Sequence, residues 1–144
     1  MSMALDMSQR SADPSTQVGC CLVDSRNRLI GAGYNGPPIG ICPESIPWDR
    51  EGPLEETKYA YVLHGEQNAL ENATASTEGA RCYVTLQPCH ICAMSLIQAG
   101  IKEIIYLDDK YKDTSSTKIA LNMLSRVDII IRKHKWSENH SLSK

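Results

Sequence analysis

The sequence predicts an α/β fold: a three-layer α/β/α domain built on a five-stranded mixed sheet, with an N-terminal β-hairpin and crossover helices. Three observations predict it. Two apolar runs of strand length, VGCCLVD and RLIGAGY, are separated only by the turn-forming SRN, which reads as a hairpin. Downstream, strand-like runs alternate with segments whose apolar residues recur at helical spacing, the pattern of crossover units. A chain of 144 residues without repeats or low-complexity runs suits one domain able to bury a sizeable core. That domain is placed at residues 1–136, with a polar tail at 137–144.

The elements follow in order. Met3 to Ser11 reads as a short helix. After the hairpin, NGPPIGICPESIPWDREGPLEET is dense in Gly and Pro and carries Trp48; a loop this long in a compact domain is usually functional, and it reads as an ordered flap. A helix is predicted from about His64 to Ala73, and RCYVTL is a strand stopped by Pro88. CHICAMSLIQAG is a helix with Gly100 as its C-cap. KEIIYLD is a strand. DTSSTKIALNML offers hydroxyl N-caps followed by Ile119, Ala120, Met123 and Leu124 at helical spacing. DIIIRK is the last strand, and the polar KWSENHSLSK is expected to fray.

Composition narrows the function. The formal net charge is -2 and no basic stripe is present, so a small-molecule substrate is favoured over polymeric nucleic acid. No stretch approaches the ~20 apolar residues of a membrane span. The opening MSMALDMSQR lacks the charged start and apolar run of a signal peptide, so a cytoplasmic location and no membrane partner are expected. With no export signal, the six cysteines suit metal binding or catalysis better than a disulfide framework. Cys20, Cys21 and Cys82 fall in strand patterns and read as small core residues; Cys42, in the flap, is ambiguous. His90, His134 and His140 read as exposed or bland.

Two fragments carry chemistry: HGE and PCHIC. Cys89 and Cys92 are three residues apart at a helix start and share a face, and a helix N-terminus stabilises thiolates. If the helix opened by His64 packs beside theirs, the three residues supply zinc with three ligands and leave a fourth position open, which is a catalytic arrangement. Glu66, two residues after His64, reaches that open position rather than the metal and is placed to handle the protons of a water there. CHIC alone would equally fit a redox pair or half of a structural zinc site, and HGE alone says little. Together, in this order, H-x-E and P-C-x-x-C form the known signature of zinc-dependent nucleobase deaminases.

RSADPSTQVGCCLVD, GAGYNGPPIG, PWDREG, TKYAYVLHGEQNAL, YVTLQPCHICAMSLIQAGIKEIIYL and DKY, in this order, cover nearly the whole chain. Here the sequence resembles the deoxycytidylate (dCMP) deaminases, eukaryotic members more than bacterial ones. The resemblance implies a cytidine-deaminase-like fold and a hydrolase acting on the C–N bond of a cyclic amidine: dCMP and water give dUMP, for dTMP synthesis, and ammonia. It implies Glu66 as the catalytic acid–base, His64, Cys89 and Cys92 as ligands of one zinc per chain, and Asn35, Gly65, Tyr111 and Thr16 as substrate contacts. It further implies a homohexamer activated by dCTP with magnesium and inhibited by dTTP, with Gly33, Tyr34, Gly36 and Arg10 as candidate allosteric residues.

Gly65, Gln67 and the His90–Ile91 pair depart from the residues usual in the family. They leave nucleotide choice open, so that a deaminase acting also or instead on dCTP is an alternative; a silent nucleotide-binding subunit of the same fold is a second alternative. Gly65 is expected to present its N–H to the pyrimidine O2 and to omit a methyl beside the ring, so that Gly65→Ala is tolerated and Gly65→Val is not.

Overall fold

The hairpin forms as β1 (Gly19–Val23) and β2 (Leu29–Tyr34) in the computed structural model, which describes residues 1–137. Its turn is held by Asp24, whose carboxylate accepts from the backbone N–H groups of Arg26 and Arg28, and Asn27 adopts a positive φ of 63°. Asn visits this region readily because its short polar side chain bonds locally.

β3 (Arg81–Leu86), β4 (Glu103–Asp108) and β5 (Ile130–Lys133) complete a five-stranded sheet of order β2-β1-β3-β4-β5. β1 pairs antiparallel with β2 and β3, while β3, β4 and β5 run parallel. The parallel pairs are joined by α3 (His90–Gln98) and α4 (Ser115–Ser125); α2 (Gly65–Glu71) lies between β2 and β3, and α1 (Ser2–Ser8) opens the chain.

Strand residues alternate between faces. Cys20 and Leu22 of β1, Cys82 and Val84 of β3 and Ile104 of β4 point one way, into a core completed by Ala69, Leu96 and Leu124 of α2, α3 and α4. Burying each of these large aliphatic side chains contributes about 1.5–3 kcal/mol. The opposite face of β1 carries Gly19, against which α1 sets Ala4 and Ser8. Helices therefore cover both faces.

The boundaries differ from expectation in instructive ways. α1 ends at Ser8, not Ser11, because Arg10 and Ser11 donate to carbonyls three residues back and the Ser11 hydroxyl donates instead to the Asn35 carbonyl at 2.8 Å. α2 ends at Glu71; beyond it the Asn72 side chain turns to the Ala32 carbonyl, as Asn68 does to that of Tyr34. Both carbonyls lie on the edge strand β2, which α2 thereby covers.

The flap is closed at its base by a two-bond bridge between Gly36 and Leu63, and within it the Trp48 indole donates to the Pro43 carbonyl at 3.0 Å. Three short 3-10 turns give it internal order. Gly100, with a φ of +76°, follows α3 as expected. His134 is not bland: its N–H donates to the Tyr106 carbonyl and its ring meets Trp136 edge-on. His140 and the tail beyond Ser137 lie outside the described residues.

Candidate active site

One end of the sheet gathers most of the residues singled out above. Asn35 follows β2, Thr16 and Val18 precede β1, Gln87 follows β3, Tyr111 follows β4, and the helices α2, α3 and α4 all start there. This is where parallel sheets place ligands, because the crossover loops leave a crevice beyond the strand ends.

His64 is the N-cap of α2 and Cys89 the N-cap of α3. His64 Nδ1 lies 3.1 Å from Cys92 Sγ and 3.4 Å from Cys89 Sγ, and the three donor atoms fall within 4.8 Å of one another. The His64 backbone N–H donates to Gln67 Oε1 at 2.9 Å, so Gln67, unusual for the resembled family, locks the helix start that aims the imidazole.

The donors crowd one another's protons. Hydrogen bonds from Cys92 and His64 pull the Cys89 thiol down to about 3, while sharing that proton and being buried push the Cys92 thiol up. Two sulfurs and an imidazole nitrogen facing one point are the donor set of a zinc site with an open position. Among the described residues no other such cluster forms.

Glu66 is 4% exposed, and burial raises its carboxyl above the ordinary value. A carboxylate so placed is a stronger base than one in water. Gly65 opens α2, where the first N–H groups have no intrahelical partner. The expectation that Gly65 omits a methyl beside a substrate ring is corrected: a Cβ there would sit 3.1 Å from the Val18 carbonyl oxygen and 3.3 Å from Val18 Cγ1. The bare Cα serves contact with β1's entry, so the cost of a methyl falls first on Val18.

His64, Gly65, Glu66 and Cys89 share a cavity of about 320 Å³, which Asn35, Thr16 and Tyr111 also line. Asn35 lines it with a fully engaged side chain: Oδ1 accepts from the Val18 N–H at 2.8 Å, and Nδ2 donates to Asp13 at 3.3 Å and to the Thr16 carbonyl at 2.9 Å. Thr16 Oγ1 and the Tyr111 hydroxyl are 3.5 Å apart. That contact, with the charges of Lys110 and Arg50, holds the phenol below its usual range.

The candidate allosteric residues lie elsewhere. Arg10 stacks over the Tyr34 ring at 5.8 Å, and Gly36 lies beside that ring. Gly33 does not join them as a bare patch open to phosphate: a Cβ there would meet the Ala69 nitrogen at 2.4 Å, so α2 fills that space. His90 is also corrected. Rather than standing exposed, it is half-buried and meets the Ser116 hydroxyl through its backbone N–H at 3.1 Å and Nδ1 at 2.8 Å, tying α3 to α4.

Among the cavity residues that sequence reasoning missed are Asp13, Arg50, Lys58 and Gln87. Asp13 and Lys58 form a buried ion pair of 2.6 Å. Arg50 stands on the flap with Nε 3.4 Å from the Tyr59 hydroxyl. The charge of Lys58, immediately before an aromatic pair and the HGE turn, was the one signal available.

Comparison with known proteins agrees with this geometry. Residues 1–108 match the cytidine and deoxycytidylate deaminase zinc-binding region. The chain is 44% identical over 135 residues to the deoxycytidylate deaminase of Mus musculus, covering 92% of this chain and 76% of that one. The Homo sapiens deoxycytidylate deaminase is 42% identical over the same length and coverage. Among solved structures, the fold is similar to that of the dCMP deaminase from the cyanophage S-TIM5 in apo form, with a TM-score of 0.72, 25% identity and 92% of each chain covered. Sheet order, donor set and relatives converge, and the chain belongs to the cytidine and deoxycytidylate deaminase family, as a zinc-binding deaminase.

Proposed function

We propose that this chain hydrolyses dCMP to dUMP and ammonia. The observation that carries the reading is the makeup of the one cavity: a buried carboxylate and a metal donor set at one end, and the exposed Arg50 guanidinium on its wall. A pyrimidine with a 5′-phosphate matches both. His64, Cys89 and Cys92 would hold zinc, which when bound supplies a Lewis acid that makes water a nucleophile at neutral pH.

The chain's own groups do the rest. Glu66 takes a proton from the attacking water and passes it to N3 of the base; it then carries the proton of the new C4 hydroxyl to the 4-amino group, so that C4=O forms as the C4–N bond breaks and ammonia leaves. The Gly65 N–H holds the O2 carbonyl, and Arg50 with Tyr111 and Thr16 faces the phosphate and sugar. The dUMP formed would feed dTMP synthesis. Regulation by dCTP with magnesium and by dTTP, a homohexameric state and a cytoplasmic location belong to the same reading and rest on the family resemblance. Arg10, Tyr34 and Gly36 are its effector candidates.

The test is ammonia release from purified protein supplied with dCMP, dCTP, deoxycytidine or a tRNA anticodon stem. Turnover of dCMP well above the other three is expected. Activity confined to RNA overturns the reading, and preference for dCTP changes its substrate.

A further inference from the structure

His90, which follows the ligand Cys89 directly, is held from outside its own helix. It is the first residue of α3, where a backbone N–H has no intrahelical partner. That N–H donates to Ser116 Oγ at 3.1 Å, and His90 Nδ1 lies 2.8 Å from the same oxygen. Both contacts converge on one atom, so they fix the His90 backbone and its side-chain rotamer together. Ser116 is anchored in turn. It stands in the first turn of α4, one residue before the buried Thr117. The Thr117 N–H donates to Thr114 Oγ1 at 3.3 Å, and its hydroxyl donates to the Tyr111 carbonyl at 2.8 Å.

The two helices that carry metal donors solve the same problem differently. At the start of α2 the His64 N–H is held from within the helix, by Gln67 Oε1 at 2.9 Å. α3 has no such side chain to spare, because its equivalent position is Cys92, itself a donor, whose N–H reaches Cys89 Sγ at 3.5 Å. The clasp on α3 comes from α4 instead. Groups that orient metal ligands contribute about 10- to 100-fold in metal affinity or activity.

We infer that His90 is a positioning residue: clasped to Ser116, it holds the first turn of α3 so that Cys89 stays aimed at the point it shares with His64 and Cys92, and zinc is lost slowly. The inference rests on those three residues holding zinc, not on which nucleotide is turned over. A contact that only ties α3 to α4 would lower Tm. One that orients Cys89 changes how fast zinc leaves, beyond what lost stability explains.

The experiment mixes zinc-loaded wild type, His90→Ala, Ser116→Ala and the double variant with an excess of the chromogenic chelator 4-(2-pyridylazo)resorcinol and follows zinc release, with Tm measured alongside. Met123→Ala, which trims a partly buried core side chain of α4, is the control for lost stability. Each single variant is expected to release zinc about tenfold faster than wild type. The double variant is expected to be no faster than either single, because all three lose the same clasp. Met123→Ala is expected to lower Tm and leave the release rate unchanged. Single variants within about twofold of wild type overturn the inference, as does a double variant whose effects multiply to about a hundredfold. Release from Met123→Ala as fast as from the clasp variants also overturns it. Wild-type protein that takes up no zinc overturns the metal-site reading, and this inference with it. Because release is read without substrate, failure of the dCMP reading leaves the result standing.

Discussion

Asp13 Oδ2 and Lys58 Nζ lie 2.6 Å apart with side chains only 1% and 9% exposed, and they join the loop before β1 to the flap. The other Asp13 oxygen accepts from the backbone N–H groups of Ser15 and Thr16, at 2.8 and 3.1 Å. The pair therefore shapes the cavity wall on which Thr16 and Asn35 sit. Removing one partner strands the other as a buried charge, whereas removing both does not. Lys58→Met is expected to lose about 3–5 kcal/mol of stability, and the Asp13→Asn/Lys58→Met double variant to regain much of it. Urea unfolding of the three proteins checks this; equal losses in the single and double variants would contradict it.

The same pair sets an acid limit. Burial pushes the Asp13 carboxyl upward, but the Lys58 hydrogen bond, the two backbone N–H groups and the Lys58 charge together outweigh it and leave the pKa below the usual 3.8. A carboxyl depressed in the folded state contributes stability above its unfolded pKa and loses it as pH falls through the folded value. The contribution is thus intact above about pH 4 and fades below it. In Lys58→Met the carboxyl has lost its charge partner, so the fall in stability below pH 4 should be shallower than in wild type. Tm measured across acid pH for both proteins reads this slope.

What the sequence conveyed and what it withheld divide along the range of the interactions. The hairpin was legible because a turn signal lies between two short apolar runs. The metal set was legible because two local spacings, H-x-E and C-x-x-C, fix helix starts that must converge once the strand between them joins the sheet. Asp13 and Lys58 are 45 residues apart, and nothing local marks their pairing. Asn35 was expected as a substrate contact, and its side chain also binds the loop ahead of β1, a partner set by tertiary packing alone. The orientation of Gly65 was misread because the direction of a Cβ at a helix start depends on which strand lies against it.

That misreading reverses an expectation. The Val18 carbonyl that a Gly65 methyl would press accepts from the Asn35 N–H at 3.2 Å, and the Val18 N–H is held by Asn35 Oδ1. Val18 is clamped on both sides and yields poorly. Gly65→Ala is therefore expected to cost about 1 kcal/mol, despite better helix propensity, and to displace Asn35; Gly65→Val should cost about 1–3 kcal/mol through overpacking. Thermal unfolding of both variants measures it. An alanine variant as stable as wild type would show that Val18 moves freely.

Glu66 separates chemistry from metal binding. It lies beside the donor set without belonging to it, since His64, Cys89 and Cys92 alone form the cluster. Glu66→Gln should lower kcat by about 10²–10⁴-fold while one zinc per chain is retained. Cys92→Ala should lose the zinc as well as the activity. Metal analysis beside kinetics distinguishes the two, and two zincs per wild-type chain would contradict the single-site reading.

Arg50 provides the sharpest test of substrate class. It is exposed on the flap, with Nε 3.4 Å from the Tyr59 hydroxyl and the guanidinium also beside the Tyr111 phenol, and its five N–H donors leave some that an anion can take. The other cation on the cavity wall, Lys58, is already neutralised by Asp13. If Arg50 holds the 5′-phosphate, its loss must weaken the nucleotide and not the nucleoside, because deoxycytidine presents no anion. A hydrogen bond to a charged group is worth about 1.5–3 kcal/mol, so Arg50→Ala should lower kcat/KM for dCMP by about ten- to a hundredfold and leave that for deoxycytidine unchanged. Most of the change should fall on KM, since the phosphate is remote from the bond that breaks and its contact is equal in ground and transition states. Equal losses on both substrates would place Arg50 in holding the flap rather than in reading the phosphate.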